Sequence, residues 1–197
     1  MTLIVAAMKE EVEEILKIKT KDTDVIITGI GKVNAAMKLS AYLSTHKVDK
    51  IINLGFAGGN IAYEVNDIVV IDQTLYHDFD LSLFGYEKGQ VPGFPKVFIT
   101  DENLKKSIKN SLQKAKTGIL YTGDYFMSEP VEQAAVFDME GASLYQVAHY
   151  FSTPIISVKV ISDVIGMKDH YKNYKTFEQT QGAHLLANVY KDIIGGI

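Results

Sequence analysis

Short apolar runs recur along the chain, separated by charged segments in which apolar residues return at helical spacing. The runs are continuous and rich in Val and Ile, which is typical of strands covered on both faces of a sheet. We predict six such strands, at residues 3–7, 25–28, 51–56, 68–71, 118–122 and 155–161.

Apolar residues three or four positions apart predict helices between and after these strands. The first helix is marked by Val12, Ile15 and Leu16, and the second by Val33, Met37 and Leu43. Two further helices are predicted at residues 139–151 and 177–194. Alternating strands and helices predict an α/β fold, a single domain over residues 1–197 with a mixed, largely parallel central sheet flanked by helices.

Residues 73–96 interrupt this alternation. The segment has no clean periodicity, contains two prolines and three glycines, and is dense in aromatic and acidic side chains. A loop of this length in a compact domain is usually functional.

Composition narrows the function classes. Of the 197 residues, 47% are hydrophobic and 22% are charged, and the net charge of −4 argues against a nucleic-acid partner. The absence of cysteine excludes disulfides, thiolate nucleophiles and cysteine-bound zinc. The apolar run at the N-terminus is too short to cross a membrane, so we expect a cytoplasmic protein without a membrane partner.

Candidate chemistry lies where the predicted strands end, because ligands of α/β sheets bind beyond the carboxyl ends of the strands. Carboxylates stand there at Glu10, Glu11, Asp124 and Asp163, beside glycine turns such as 55–59. Each has a plain structural interpretation, since acids favour helix N-termini and glycines favour turns. These residues decide no function individually.

A metal centre is not expected. His77 and Asp78 are suitable ligand types, but no third ligand follows at helical or hairpin spacing. The residues 29–31 match only part of a dinucleotide-binding fingerprint, because Asn34 stands where the third glycine belongs. We therefore predict neither a metal nor an organic cofactor.

Taken in order, several motifs resemble those of bacterial 5′-methylthioadenosine/S-adenosylhomocysteine nucleosidases. The loop YHDFDLSLFGYEKGQVPG from Tyr76 resembles the signature loop of that family. Further matching motifs are AMKEEV from Ala7, GIGKVNAA from Gly29, NDIVV from Asn66, TGD from Thr122, MEGA from Met139 and VISDV from Val160. The resemblance covers nearly the whole chain and implies a nucleoside phosphorylase-like α/β fold, an adenine nucleoside as the small-molecule partner, and a homodimer.

The resemblance also implies roles for three carboxylates. Asp163 matches the general acid that protonates adenine N7, which requires a raised pKa in a desolvated pocket. Glu11 matches the residue that deprotonates the attacking water. Glu140 matches the carboxylate that accepts hydrogen bonds from the ribose hydroxyls, with Met139 against the sugar.

Other residues would bind the substrate by the same resemblance. The adenine would lie against Tyr125, Phe126 and Met127, with Phe126 stacking on it. The apolar channel for the 5′-substituent would be formed by Met8, Ile30 and Tyr174, with Phe84 and Pro92 entering from the partner subunit. Phe56, Ala57, Lys159 and Ser162 complete the implied binding residues.

The sequence departs from the family pattern in three ways. Only about ten residues separate the first helix from Asp24, where the family has an additional strand pair, and the region 129–137 is also abbreviated. Phe56 stands where many members have a small residue, which would alter or narrow the floor of the sugar site. Lys159 stands where an arginine is common, which keeps the charge but loses the planar donor fork.

Three alternative functions stay open. A phosphorylase of the same fold would use phosphate as the nucleophile but needs a cationic anion site. A hydrolase of another adenine nucleoside, such as 5′-deoxyadenosine or aminodeoxyfutalosine, would keep the same base chemistry. A shortened homologue could also bind nucleosides without turnover.

Overall fold

The computed structural model describes residues 1–60, 62–129 and 132–195. Its strands are β1 (Thr2–Ala6), β2 (Thr23–Ile27), β3 (Lys50–Gly59), β4 (Ile68–Tyr76), β5 (Phe98–Ile99), β6 (Lys116–Thr122), β7 (Val136–Asp138) and β8 (Ile155–Val164). Its helices are α1 (Lys9–Val12), α2 (Ile15–Ile18), α3 (Lys32–Leu43), α4 (Glu102–Ser111), α5 (Gly141–Tyr150), α6 (His170–Thr180) and α7 (Gly182–Gly195), with a 3₁₀ turn at Ser82–Phe84.

The strands form one mixed sheet in the order β2-β1-β3-β7-β6-β4-β5, and β8 pairs with both β3 and β4. Strands β3, β8, β4, β6 and β7 therefore close into a ring, while β2 and β1 extend it on one side. Neighbours β1 and β3, β3 and β8, and β4 and β6 run parallel, whereas β8 and β4 run antiparallel. The prediction of a mixed, largely parallel sheet flanked by helices is confirmed. The closure of five strands into a ring was not predicted.

Helices cover both faces of the sheet, which explains the continuous apolar runs. One core cluster joins the strands to α1, α4, α6 and α7, and includes Ile4, Leu54, Phe177 and Tyr190. A second cluster joins them to α3 and α5, and includes Leu3, Leu39 and Tyr145. Alternate residues of β1 thus belong to opposite cores, as the twofold periodicity of a strand requires.

Several predicted elements differ in extent. The first predicted helix is two short helices, α1 and α2, and the C-terminal one is also two, α6 and α7, separated at Gln181. Strand β4 continues to Tyr76, so the first four residues of the predicted irregular loop belong to the sheet. The polar helix α4 and the short strands β5 and β7 were not predicted.

The apolar face assigned to the second helix is wrong in part. Helix α3 exists, but Val33 and Met37 are exposed at 75% and 57%, and its buried residues are Ala35 and Leu39.

Two segments were expected to be shorter than in the family. The connection from α2 to β2 is short, as the sequence indicated, whereas Pro130 and Val131 of the abbreviated 129–137 region lie outside the described residues. Within the described ranges, no helix is both long and apolar enough to cross a membrane.

Candidate active site

A cavity of about 310 Å³ gathers most of the predicted site. It is lined by the predicted residues Met8, Glu11, Ile30, Phe56, Ala57, Tyr125, Phe126, Met127, Met139, Glu140, Ser162, Asp163 and Tyr174. Of the predicted residues, only Phe84, Pro92 and Lys159 are absent from its lining. The cavity lies where β1, β3, β6, β7 and β8 end, as expected for an α/β sheet.

Glu11 is a buried carboxylate fixed by backbone donors. Its Oε2 accepts hydrogen bonds from the backbone N–H groups of Ala7 and Met8 at 2.8 and 2.9 Å, and Oε1 accepts one from Phe56 at 2.9 Å. Burial raises the pKa of Glu11, whereas the charge of Lys159 and these N–H groups oppose the rise. The result is a carboxylate with a fixed orientation and little water around it.

A glycine makes room for this carboxylate. A Cβ atom on Gly55 would stand 2.6 Å from Glu11 Oε1. Phe56, next in β3, lines the cavity, while its ring packs edge-on against Phe177 with centroids 5.2 Å apart and reaches Gly182. The phenyl ring of Phe56 thus packs against α6 and α7.

Asp163 stands at the end of β8 and is 1% exposed. Its Oδ1 accepts a hydrogen bond from Ser162 Oγ at 2.7 Å, and its Oδ2 lies 3.3 Å from His170 Nδ1 at the start of α6. Burial raises the pKa of Asp163, and the contacts with Ser162 and His170 oppose the rise. A carboxyl group in this setting is suited to retaining a proton that it can donate.

An aromatic wall stands beside Asp163. The rings of Phe126 and His170 stack with centroids 5.2 Å apart and planes 19° from parallel. Tyr174 and Tyr171 meet Phe126 edge-on, at 5.7 and 6.0 Å. Phe126 remains 42% exposed, so it can offer a face to a planar ligand.

Glu140 approaches the cavity from the start of α5. Its Oε1 accepts a hydrogen bond from the backbone N–H of Gly31 at 2.8 Å. Burial raises the pKa of Glu140, and the neighbouring charge of Asp138 adds to the rise. Gly31 has φ of 95°, a conformation that favours glycine, so the turn before α3 presents this N–H group.

Lys159 is not among the residues that line the cavity, and its predicted contact with the substrate stays a prediction. Its Nζ stands 2.9 Å from Asp138 Oδ2, and both side chains are 2% exposed. Burial alone would lower the pKa of Lys159, but the carboxylates of Asp138, Glu140 and Glu11 together raise it. Lys159 therefore supplies a positive charge among the buried carboxylates of the site.

Sequence reasoning also missed several residues of the lining: Ala7, Gly58, Phe137, Asp138, Ile165, Tyr171, Lys175 and Glu178. Asp138 directly precedes the motif from Met139, and its position beside that motif was an available signal. Tyr171, Lys175 and Glu178 belong to α6, a helix whose start was predicted at residue 177.

Phe84 and Pro92 lie on the exposed segment after β4, and Phe84 is 76% exposed. Their predicted entry into a partner's cavity stays a prediction.

His77 and Asp78 make local contacts: His77 Nδ1 lies 3.0 Å from Tyr125 Oη, and Lys32 Nζ donates hydrogen bonds to both Asp78 oxygens. Across the described part of the chain, no cluster of three His, Cys, Asp or Glu side chains could hold a metal ion.

Comparison with known proteins agrees with this fold. The sequence model of the Phosphorylase superfamily matches residues 11–194. The ring of strands and the carboxylate-lined cavity at its end thus belong to a protein of that superfamily.

Individual relatives narrow the class. A 5′-methylthioadenosine/S-adenosylhomocysteine nucleosidase from Marinomonas sp. (strain MWYL1) is 40% identical over 161 residues, covering 74% of this chain and 70% of that protein. One from Geobacillus sp. (strain WCH70) is 35% identical over 178 residues, covering 82% and 76%. A structure from Borrelia burgdorferi B31 described as such a nucleosidase, bound to adenine, is 34% identical with a TM-score of 0.91, covering 100% of both chains. The chain belongs to the family of these nucleosidases.

Proposed function

We propose that this protein hydrolyses the N-glycosidic bond of 5′-methylthioadenosine and S-adenosylhomocysteine, releasing adenine and the 5-substituted ribose. The observation that carries the proposal is that three buried carboxylates, of Glu11, Glu140 and Asp163, line one cavity beside the exposed face of Phe126. The names of the similar proteins support the same reaction.

Departure of the base needs a proton donor, because adenine is a poor leaving group as an anion. In the proposed complex adenine stacks on Phe126, and the protonated Asp163 donates to N7 while the bond from C1′ to N9 breaks. The bonding electrons move to the base, which leaves as neutral adenine. Such positioned proton transfer contributes about 10²- to 10⁴-fold to a rate.

The sugar becomes positively charged as the bond stretches. Glu140 accepts hydrogen bonds from the ribose hydroxyls, and in its ionised form, which Lys159 and the Gly31 N–H favour, its charge stabilises the cationic sugar. Glu11 accepts a proton from the attacking water as the oxygen bonds to C1′. Lys159 supports this arrangement because its charge favours the ionised form of Glu11.

Water is preferred over phosphate as the nucleophile because of the charges around the cavity. Among the described residues that line it, the one lysine or arginine is Lys175, which is paired with Glu178 at 2.9 Å. Lys159 is buried and paired with Asp138 at 2.9 Å. A phosphate site would need cations free to bind an anion.

We also propose a homodimer in which Phe84 and Pro92 complete the cavity of the neighbouring subunit. Leu83 and Phe84 are 97% and 76% exposed, and α3 presents Val33 and Met37 to solvent. Exposed large apolar residues of this kind favour a protein contact. Light scattering should give twice the chain mass, and a strict monomer would contradict the completed cavity.

The experiment that tests the function measures adenine release from 5′-methylthioadenosine with and without phosphate. We expect phosphate-independent release that falls at least about 100-fold in Asp163→Asn and in Glu11→Gln. Asp192→Asn, an exposed change on α7, is the matched control. Release that requires phosphate would favour the phosphorylase. No release would leave the nucleoside-binding alternative or another substrate, for which 5′-deoxyadenosine and aminodeoxyfutalosine are assayed in parallel.

A further inference from the structure

A charged pair lines the cavity but takes no part in the proposed chemistry. Lys175 Nζ lies 2.9 Å from Glu178 Oε2, one turn apart on α6, and both residues face the cavity. The Glu178 side chain is only 10% exposed, whereas that of Lys175 is 44% exposed. A carboxylate so withdrawn from water needs partners, and these come from the cavity wall.

The pair lies next to the apolar part of that wall. Tyr174 Oη donates a hydrogen bond to Glu178 Oε1 at 3.1 Å and stands 3.8 Å from the sulfur of Met8. Each Glu178 oxygen thus has one protein partner and a second acceptor site still available. Phe126 and Asp163 contact the base in the proposed complex. The 5′-substituent would then lie along Met8 and Tyr174, between the sugar and the charged pair.

The two proposed substrates differ at this end of the molecule. The methylthio group is small and uncharged, whereas the homocysteinyl group ends in an α-ammonium and an α-carboxylate. We propose that Lys175 and Glu178 form a subsite for this zwitterionic amino-acid group, which rests on the proposed function. Glu178 accepts hydrogen bonds from the ammonium, and Lys175 donates to the carboxylate.

The surrounding charge fits a zwitterion better than a single ion. The Lys175 ammonium is paired with the Glu178 carboxylate, so the two charges at this edge of the cavity balance each other. A ligand that brings one charge of each sign can exchange partners with the pair and leave neither group unpaired. A ligand bringing only an anion would take Lys175 from Glu178 and leave that carboxylate without its cation.

The test compares kcat/KM for S-adenosylhomocysteine, 5′-methylthioadenosine and 5′-butylthioadenosine, an uncharged probe with a longer tail. We expect the ratio of S-adenosylhomocysteine to either uncharged substrate to fall about 3-fold in Lys175→Met and about 10-fold in Glu178→Gln. Lys172→Met removes the same charge from an exposed position of α6 and should leave the ratio at the wild-type value. Added salt should lower the ratio in the wild type more than in Lys175→Met, because salt screens charged contacts.

Each other outcome rejects the inference in a distinguishable way. A parallel loss with all three substrates would mean that the pair only supports α6. An unaltered ratio in both variants would mean that the amino-acid group projects into solvent. Failure of the wild type to cleave any of the three would reject the proposed function, and the subsite with it.

Discussion

Replacing Lys159 by methionine should destabilise the protein strongly, because it leaves a buried carboxylate without its counter-charge. Lys159 Nζ is 2.9 Å from Asp138 Oδ2, and both side chains are almost fully buried. Breaking a buried pair by removing one partner typically costs about 3–5 kcal/mol. Asp138 also accepts hydrogen bonds from Thr122 Oγ1 at 2.6 Å and the Gly141 N–H at 2.9 Å. We therefore expect the lower end, about 3 kcal/mol.

Urea denaturation of the wild type, Lys159→Met, Asp138→Asn and the double variant measures this cost. The double variant should be more stable than the sum of the single changes predicts, with a coupling of about 1–3 kcal/mol. Lys116→Met is the surface control, because Lys116 pairs with Asp67 at 2.6 Å but is 44% exposed, and it should cost no more than about 1 kcal/mol. A loss of less than about 1 kcal/mol for Lys159→Met, or strict additivity, would mean that the Asp138 carboxylate does not need the charge of Lys159.

Three further changes test the site. Gly55→Ala should reduce activity about 100-fold and also lower stability by about 1–3 kcal/mol, because its Cβ would displace the Glu11 carboxylate from its backbone donors; undiminished turnover would contradict this. Burial raises the pKa of Asp163, and an acid that must be protonated loses activity as the pH rises through its pKa. The contact with His170 lowers the pKa of Asp163, so His170→Ala should raise that pKa and move the alkaline limb of kcat/KM to higher pH. A shift to lower pH would contradict the role of Asp163 as the acid. Glu140→Gln should weaken nucleoside binding more than adenine binding, as measured by calorimetry, and equal losses would argue against a ribose contact.

The sequence predicted the carboxylates of the site better than the surfaces around them. Each of the three carboxylates lies near a strand end within a recognisable motif: Glu11, Glu140 and Asp163. They meet in one cavity because these strand ends share one edge of the sheet. Asp138 and Lys159 form a pair across two strands, β7 and β8, and no local pattern indicates which buried charges will meet.

Two elements show why periodicity was insufficient. Helix α6 has one buried residue, Phe177, so it carries no apolar stripe that would have located its first turns and the pair of Lys175 and Glu178. Helix α3 has apolar residues on two sides, and its exposed side, with Val33 and Met37, gave the stronger pattern. The ring formed by β3, β8, β4, β6 and β7 depends on long-range register that the local sequence does not encode. The single-domain boundary and the cytoplasmic location stay predictions.

The central claim is that water attacks the sugar of an adenine nucleoside in this cavity. The most direct measurement is the reaction of the wild type with 5′-methylthioadenosine in water enriched with heavy oxygen, in the presence of phosphate, with both products analysed by mass spectrometry. We expect adenine and 5-methylthioribose in equal amounts, with one heavy oxygen in the sugar. A sugar 1-phosphate without the label would contradict it.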